Sequence, residues 1–98
     1  MSRLLEADEI ARQLLDLPGW TREGDTLRRS IEAKDFPAAI RIVDGVAVEA
    51  EQMAHHPDID IRWRTLHFAL STHSAGGITQ LDVELAHRIS VIAEAAPS

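Results

Sequence analysis

The chain has 98 residues, of which 45% are hydrophobic, 27% charged and 4% aromatic, and its net charge is -6. A chain of that length is expected to form a single domain, residues 1–98, burying roughly 60–65% of its unfolded surface in a mostly aliphatic core. The acidic balance argues against a nucleic-acid partner, the lack of cysteine excludes disulfides, thiolate catalysis and Cys-ligated zinc, and no apolar run approaches the roughly 20 residues of a membrane span.

The opening residues, Met1 to Glu6, turn acidic too early for a signal peptide, so a cytoplasmic protein is expected. Leu4, Leu5, Ile10, Ala11, Leu14 and Leu15 recur at near-helical spacing and predict a first amphipathic helix, stopped by Pro18-Gly19. Trp20 to Glu23 and a run from Thr26 read as a hairpin about Gly24-Asp25, with Leu27, Arg29, Ile31 and Ala33 on one face. Arg29 interrupts that apolar face. Asp35-Phe36-Pro37 is a helix start. Ile40, Val43, Val46 or Ala47, Ala50 and Met53 or Ala54 then form a stripe at steps of three and four. Pro57 ends this second helix near Ala54.

Ile59, Ile61 and Trp63 alternate with Asp60, Arg62 and Arg64, and Leu66, Phe68 and Leu70 alternate with His67, Ala69 and Ser71. Two strands with a turn near Arg64-Thr65 are predicted. Ser74 to Gly77 is a loop. Thr79 begins a third helix with Leu81, Leu85, Ile89 and Ile92 on its apolar face, fraying from Ala95. Trp20 and Trp63 read as core or hairpin packing, and His87 as solvated. The element order is helix, strand, strand, helix, strand, strand, helix. It predicts an α+β two-layer sandwich, a four-stranded and mostly antiparallel sheet with three helices on one face. The other face is polar or covered by a second subunit.

Chemistry gathers around three histidines. His55 and His56 precede the second hairpin and His73 follows it, so antiparallel geometry returns them to one end of the sheet. Histidine titrates near neutrality and serves as general acid or base. The bland reading is that His55 and His56 merely end a helix, where imidazolium suits the dipole. Zinc is the rival, since three histidines can hold it. Adjacent histidines diverge unless the backbone bends sharply, however, and no His-Glu-x-x-His pattern occurs. No metal and no bound cofactor is expected. Glu51, four residues before His55, orients a histidine or forms a plain helix-surface pair. Thr79 and Asp82 match an acidic capping box, and Asp82 is left between capping and facing the loop. Gly76-Gly77 lets backbone approach a ligand closely.

Several stretches together resemble the pterin-4a-carbinolamine dehydratase family: Leu17-Pro18-Gly19-Trp20, Lys34-Asp35-Phe36, Ala50 to Asp58 with its Glu-x-x-x-His-His-Pro core, Leu70 to Thr79, and Asp82. The resemblance runs from Leu14 to about Ala93. It implies dehydration of a 4a-hydroxytetrahydropterin to quinonoid dihydropterin, recycling the cofactor of aromatic amino-acid hydroxylases. It also implies the predicted fold and a homodimer or homotetramer. By the same resemblance His55 and His73 exchange protons with the pterin and His56 positions it. Glu51, Ser71, Thr72, Ser74 and Asp82 belong to the substrate-binding set. Ile59 and Ile61 depart from the aromatic and Asn that the family often carries there, which bears on the pocket rim. Some relatives act as partners of other proteins, so a non-catalytic interaction or assembly module is the alternative.

Overall fold

A computed structural model describes residues 3–96. Three helices and four strands follow in the order α1 (Ala7–Leu14), β1 (Thr21–Glu23), β2 (Thr26–Glu32), α2 (Phe36–Met53), β3 (Asp58–Arg62), β4 (Thr65–Leu70) and α3 (Gln80–Ala95). The strands form one sheet in the order β1-β2-β4-β3, and every pairing is antiparallel. This is the predicted α+β arrangement. Of the tail expected to fray, residues 97–98 lie outside the described residues.

One face of the sheet carries the core. Leu27 and Ile31 of β2 and Leu66, Phe68 and Leu70 of β4 are buried, together with Ile10 of α1, Ile42 and Val46 of α2, and Val83, Leu85 and Ile89 of α3. The alternate strand positions Arg28, Ser30 and His67 are exposed, as the period of two requires. On that outer face Ser30 Oγ lies 2.6 Å from Nδ1 of His67, its cross-strand partner.

Arg29 has an inward register position and still reaches a polar partner. Its guanidinium donates to Ser90 Oγ at 2.9 Å, and Trp20 Nε1 donates to the same oxygen at 2.9 Å. Gly19 leaves room for this, because a Cβ there would stand 3.1 Å from Arg29 Nε, and its φ of 90° suits glycine. Leu17-Pro18-Gly19-Trp20 is thus an anchor that ties the α1–β1 connection to α3. Ser90→Ala leaves two donors without their acceptor and is expected to cost about 1–3 kcal/mol, read as a lower midpoint in urea unfolding.

The helices differ from expectation in phase and extent. On α2 the buried residues are Ala38, Ala39, Ile42, Val46 and Ala50, with Ile40, Val43 and Met53 only half-buried. The buried stripe thus combines alanines with Ile42 and Val46, and Ile40, Val43 and Met53 flank it. On α1 only Ile10 is buried, while Ala11 and Leu15 are exposed. Residues before α1 leave the helix and pair instead with the approach to α3, through Leu5 N–H to Ile78 O at 2.9 Å and a Leu4–Thr79 bridge.

The start of α1 is set electrostatically. Glu9 accepts the Glu6 N–H at 2.8 Å and two hydrogen bonds from Arg3 at 2.9 and 2.8 Å. The Arg3 guanidinium, then the Glu6 N–H, hold its carboxyl far below the ordinary value, at about 2. A depressed carboxyl contributes its stabilisation fully above the ordinary carboxylate value and loses it as pH falls toward the depressed one. The stability difference between wild type and Glu9→Gln is therefore expected to shrink as pH is lowered from about 6 to about 3, followed by urea unfolding.

The β3–β4 turn is Trp63-Arg64, since Arg62 pairs with Thr65. This sets the turn one residue earlier than expected. Trp63 takes a φ of 54° and is 72% exposed, with the Arg64 guanidinium 5.2 Å from its ring centroid. It is a turn residue against Arg64 and takes no part in the core.

Candidate active site

The helix α2 ends in a way that separates the two adjacent histidines. Ala54 adopts the left-handed conformation with φ 51°. The His55 N–H returns to Ala50 O at 3.1 Å and the Ala54 N–H to Glu51 O at 3.2 Å. This pair of bonds is a Schellman closure. It turns the chain sharply after Met53, and Pro57 keeps the following residues extended. His55 then points inward and is 9% exposed, while the His56 side chain is 63% exposed.

His55 meets the start of α3. Its Nε2 lies 2.6 Å from Asp82 Oδ1, and Asp82 is 0% exposed. Asp82 Oδ2 accepts the Thr79 N–H and the Thr72 hydroxyl, both at 2.9 Å. The Thr79 hydroxyl lies 2.7 Å from that of Thr72 and accepts the Leu81 N–H at 3.2 Å. Asp82 therefore fills both roles left open by the sequence: it completes the capping box of α3 with one oxygen and holds His55 with the other. Thr72 and Asp82 are buried, so their side chains lie beneath the surface.

His56 pairs with Glu51 through Nε2. The expected Glu51–His55 pairing four residues apart does not form, because the helix has already ended at Met53. Both Glu51 and His56 are exposed.

His73 rides on the segment after β4. Its neighbour Thr72 is fixed twice, by the Asp82 carboxylate and by a backbone bond from Thr72 N–H to Gly77 O at 2.8 Å. Asp58 pairs with Ala69, so the residues before β3 and after β4 leave the sheet at the same end. The Asp82 carboxylate thus joins His55 to the residue beside His73. His73 and Ser74 are exposed and Ser71 is half-buried. Gly76 has a φ of 80° and open space around it. Gly77 instead admits Leu4, whose Cδ2 would stand 3.1 Å from a Cβ there. Its close approach serves the N-terminal segment.

The remaining histidines stand apart. His67 is on the outer sheet face, and His87 is half-buried on α3 where a solvated position was expected. A groove of about 830 Å³ also lies on the outer sheet face, along Arg28, Ser30, Asp58, Asp60, Arg62 and His67. It contains none of the three histidines around Asp82. Chemistry places the candidate site at the histidines, since the groove offers mainly paired surface charges such as Arg62–Asp60. Among the described residues no group of three or more His, Asp or Glu is arranged to hold a metal ion, and no helix is long and apolar enough to cross a membrane.

Three histidines thus flank one end of the sheet, one of them on a buried carboxylate. The family described as Pterin 4 alpha carbinolamine dehydratase matches residues 3–92. The chain belongs to the pterin-4-alpha-carbinolamine dehydratase family. A Nocardia farcinica protein, provisionally named a pterin-4-alpha-carbinolamine dehydratase, is 56% identical over 92 residues, covering 94% of this chain and 97% of that one. The crystal structure of a transcriptional coactivator/pterin dehydratase from Brucella melitensis superposes with a TM-score of 0.90 at 31% identity, covering 93% of this chain and 99% of the other. A pterin dehydratase-like protein identified as a RuBisCO assembly factor of the alpha-carboxysome shares the fold, at TM-score 0.62 and 16% identity over 76% of this chain and 86% of the other.

The sequence alone did not expose Ala54 or the hydroxyl of Thr79 as part of this arrangement. A left-handed alanine has no compositional signal. Thr79 was legible as a cap, but its contact with Thr72 depends on how the loop folds back.

Proposed function

We propose that the protein dehydrates a 4a-hydroxytetrahydropterin to quinonoid dihydropterin. The observation that carries this reading is the inward-turned His55 on the Asp82 carboxylate, next to the Thr72-His73 segment, in a member of this dehydratase family. In the reaction the C4a–O bond breaks and the hydroxyl leaves as water after accepting a proton. N5 loses its proton, and the electron pair of that bond forms N5=C4a. No net oxidation occurs, so a proton donor and a proton acceptor are sufficient. His55 and His73 exchange these protons, and histidine is suited to both tasks near neutrality. His56, held by Glu51, positions the pterin. The backbone of Ser71 to Ser74, at the rim, hydrogen-bonds the ring. The Thr72 and Asp82 side chains act from below.

In this reading the substrate is a pterin produced by an aromatic amino-acid hydroxylase. The protein works in the cytoplasm as a homodimer or homotetramer. Stopped-flow decay of the 4a-carbinolamine with the purified protein tests the activity. Acceleration above the uncatalysed rate is expected, and a rate equal to the uncatalysed one refutes the reading.

A non-catalytic partner role is the second reading. It is favoured by exposed apolar side chains on the helical layer, Val48 on α2 and Val91 on α3, and by relatives named for coactivator and assembly roles. A stable complex with another protein, without carbinolamine turnover, would decide for it.

A further inference from the structure

Beneath His55 each hydroxyl hydrogen has one place to go. Thr72 spends its hydrogen on Asp82 Oδ2 at 2.9 Å. Between the two threonines, 2.7 Å apart, Thr79 must therefore donate and Thr72 accept. Thr79 Oγ1 in turn accepts the Leu81 N–H. The donors run in one direction, from Leu81 through Thr79 and Thr72, and end on the carboxylate. Oδ2 also accepts the Thr79 N–H, so the carboxylate is an acceptor on that side throughout. Its remaining oxygen, Oδ1, faces His55 Nε2 at 2.6 Å. A carboxylate accepting from every neighbour keeps a hydrogen on Nε2 and leaves the lone pair on Nδ1.

The position of Nδ1 follows from the same inventory. It makes no hydrogen bond within the described residues, yet none of their buried side-chain nitrogens or oxygens lacks a partner. Nδ1 therefore lies at the accessible surface while Nε2 points inward. The ring has one anchored nitrogen and one presented nitrogen.

We propose that His55 works through Nδ1, that the Asp82 carboxylate sets its tautomer, and that Thr72 and Thr79 are positioning residues whose hydroxyls hold that carboxylate and, through it, the orientation of the His55 ring. The chemical part rests on the dehydratase reading, whereas the tautomer is independent of it. Both threonines are buried and their hydroxyls are engaged with each other and with Asp82, so these hydroxyls act on the pterin through Asp82 and His55. Thr79 serves two ends at once, since the hydroxyl that caps α3 also feeds the chain of donors.

The test is long-range proton–nitrogen NMR of the imidazole rings in the full-length protein, paired with stopped-flow kinetics on the 4a-carbinolamine. In wild type the neutral His55 ring should carry its hydrogen on Nε2. Thr72→Val keeps the volume and removes the hydroxyl. It should leave the hydrogen on Nε2, loosen the carboxylate so that the His55 ring resonances shift or broaden, and lower kcat by about tenfold or more, the rate equivalent of one lost hydrogen bond to a charged group, with little change in KM. Thr72→Ser should restore both. The wild-type tautomer is read alone, so the test stands even if Thr72→Val does not fold. A hydrogen on Nδ1 in wild type overturns the proposal, as does a folded Thr72→Val with unchanged His55 ring resonances and kcat. A wild type that holds the Nε2–H tautomer without turnover supports the anchored ring and overturns the dehydratase reading alone.

Discussion

A variant carrying His55→Gln and His73→Ala together should lose at least about 10²–10⁴-fold in kcat for carbinolamine dehydration while remaining folded, since a single positioned proton-transfer group is worth that much. Glutamine is chosen at position 55 because its amide replaces the Nε2 donor toward Asp82 and cannot carry a transferable proton. Alanine there would instead leave a buried carboxylate facing a void, and lost stability would mask lost chemistry. His73 is exposed, and its hydrogen bond to the Gly76 N–H is made by its backbone carbonyl, which alanine keeps. The two single variants need not multiply to the double, because groups that share one proton circuit act as a unit. His67→Ala is the matched control. It removes a histidine from the outer sheet face, away from Asp82, and should leave turnover unchanged. Near-wild-type turnover in the double variant would sink the assignment of the histidines.

The architecture was legible in the sequence because its signals are local. Leu66, Phe68 and Leu70 alternate, Asp35 and Pro37 open α2, and Thr79 with Asp82 opens α3. What failed depended on partners distant in sequence. The stripe on α2 was phased by its bulky residues, yet the buried stripe runs through Ala38, Ala39, Ile42, Val46 and Ala50, and α2 packs beside α3. Arg29 looked like a flaw in a strand until Ser90, 61 positions away, supplied its acceptor. Trp63 in a turn and Ala54 at a helix end both take positive φ without glycine. Such residues are held there by the hydrogen bonds around them, and nothing in their own identity announces it.

The candidate site divides along the same line. The three histidines and the hairpin that returns them to one end could be read from spacing. The divergence of His55 from His56 was anticipated for adjacent side chains, but its direction was not. The Schellman closure decides it, sending His55 inward to Asp82 and His56 outward to Glu51. Asp82 was legible as a capping residue because Thr79 lies three positions before it. Its second oxygen was not, because that contact spans 27 positions to His55.

Asp82→Ala is expected to be among the most destabilising single changes in the protein, at about 3–5 kcal/mol. It deletes the shared acceptor of three donors, the Thr79 N–H, the Thr72 hydroxyl and His55 Nε2, in a place where water does not readily replace it. Each stranded donor costs about 1–3 kcal/mol, and the three do not simply add, because His55 can turn toward solvent and recover part of its share. For a domain of this size each kcal/mol lowers Tm by roughly 4–8 °C, so calorimetry should find a drop of at least about 12 °C. Asp82→Asn separates the structural from the chemical contribution. One amide oxygen still accepts from Thr79 and Thr72, so the variant should unfold well above the alanine one. Its NH₂ group, however, faces Nε2 with a donor and drives the hydrogen of His55 to Nδ1, leaving no lone pair where one is presented. The same inversion in a serine-protease triad costs about 10⁴-fold in kcat. Here a loss of about 10²–10⁴-fold is expected, out of proportion to the change in Tm. If Asp82→Ala unfolds within about 1 kcal/mol of wild type, the carboxylate does not hold this end of the sheet together. If Asp82→Asn keeps full kcat, the tautomer of His55 does not govern turnover.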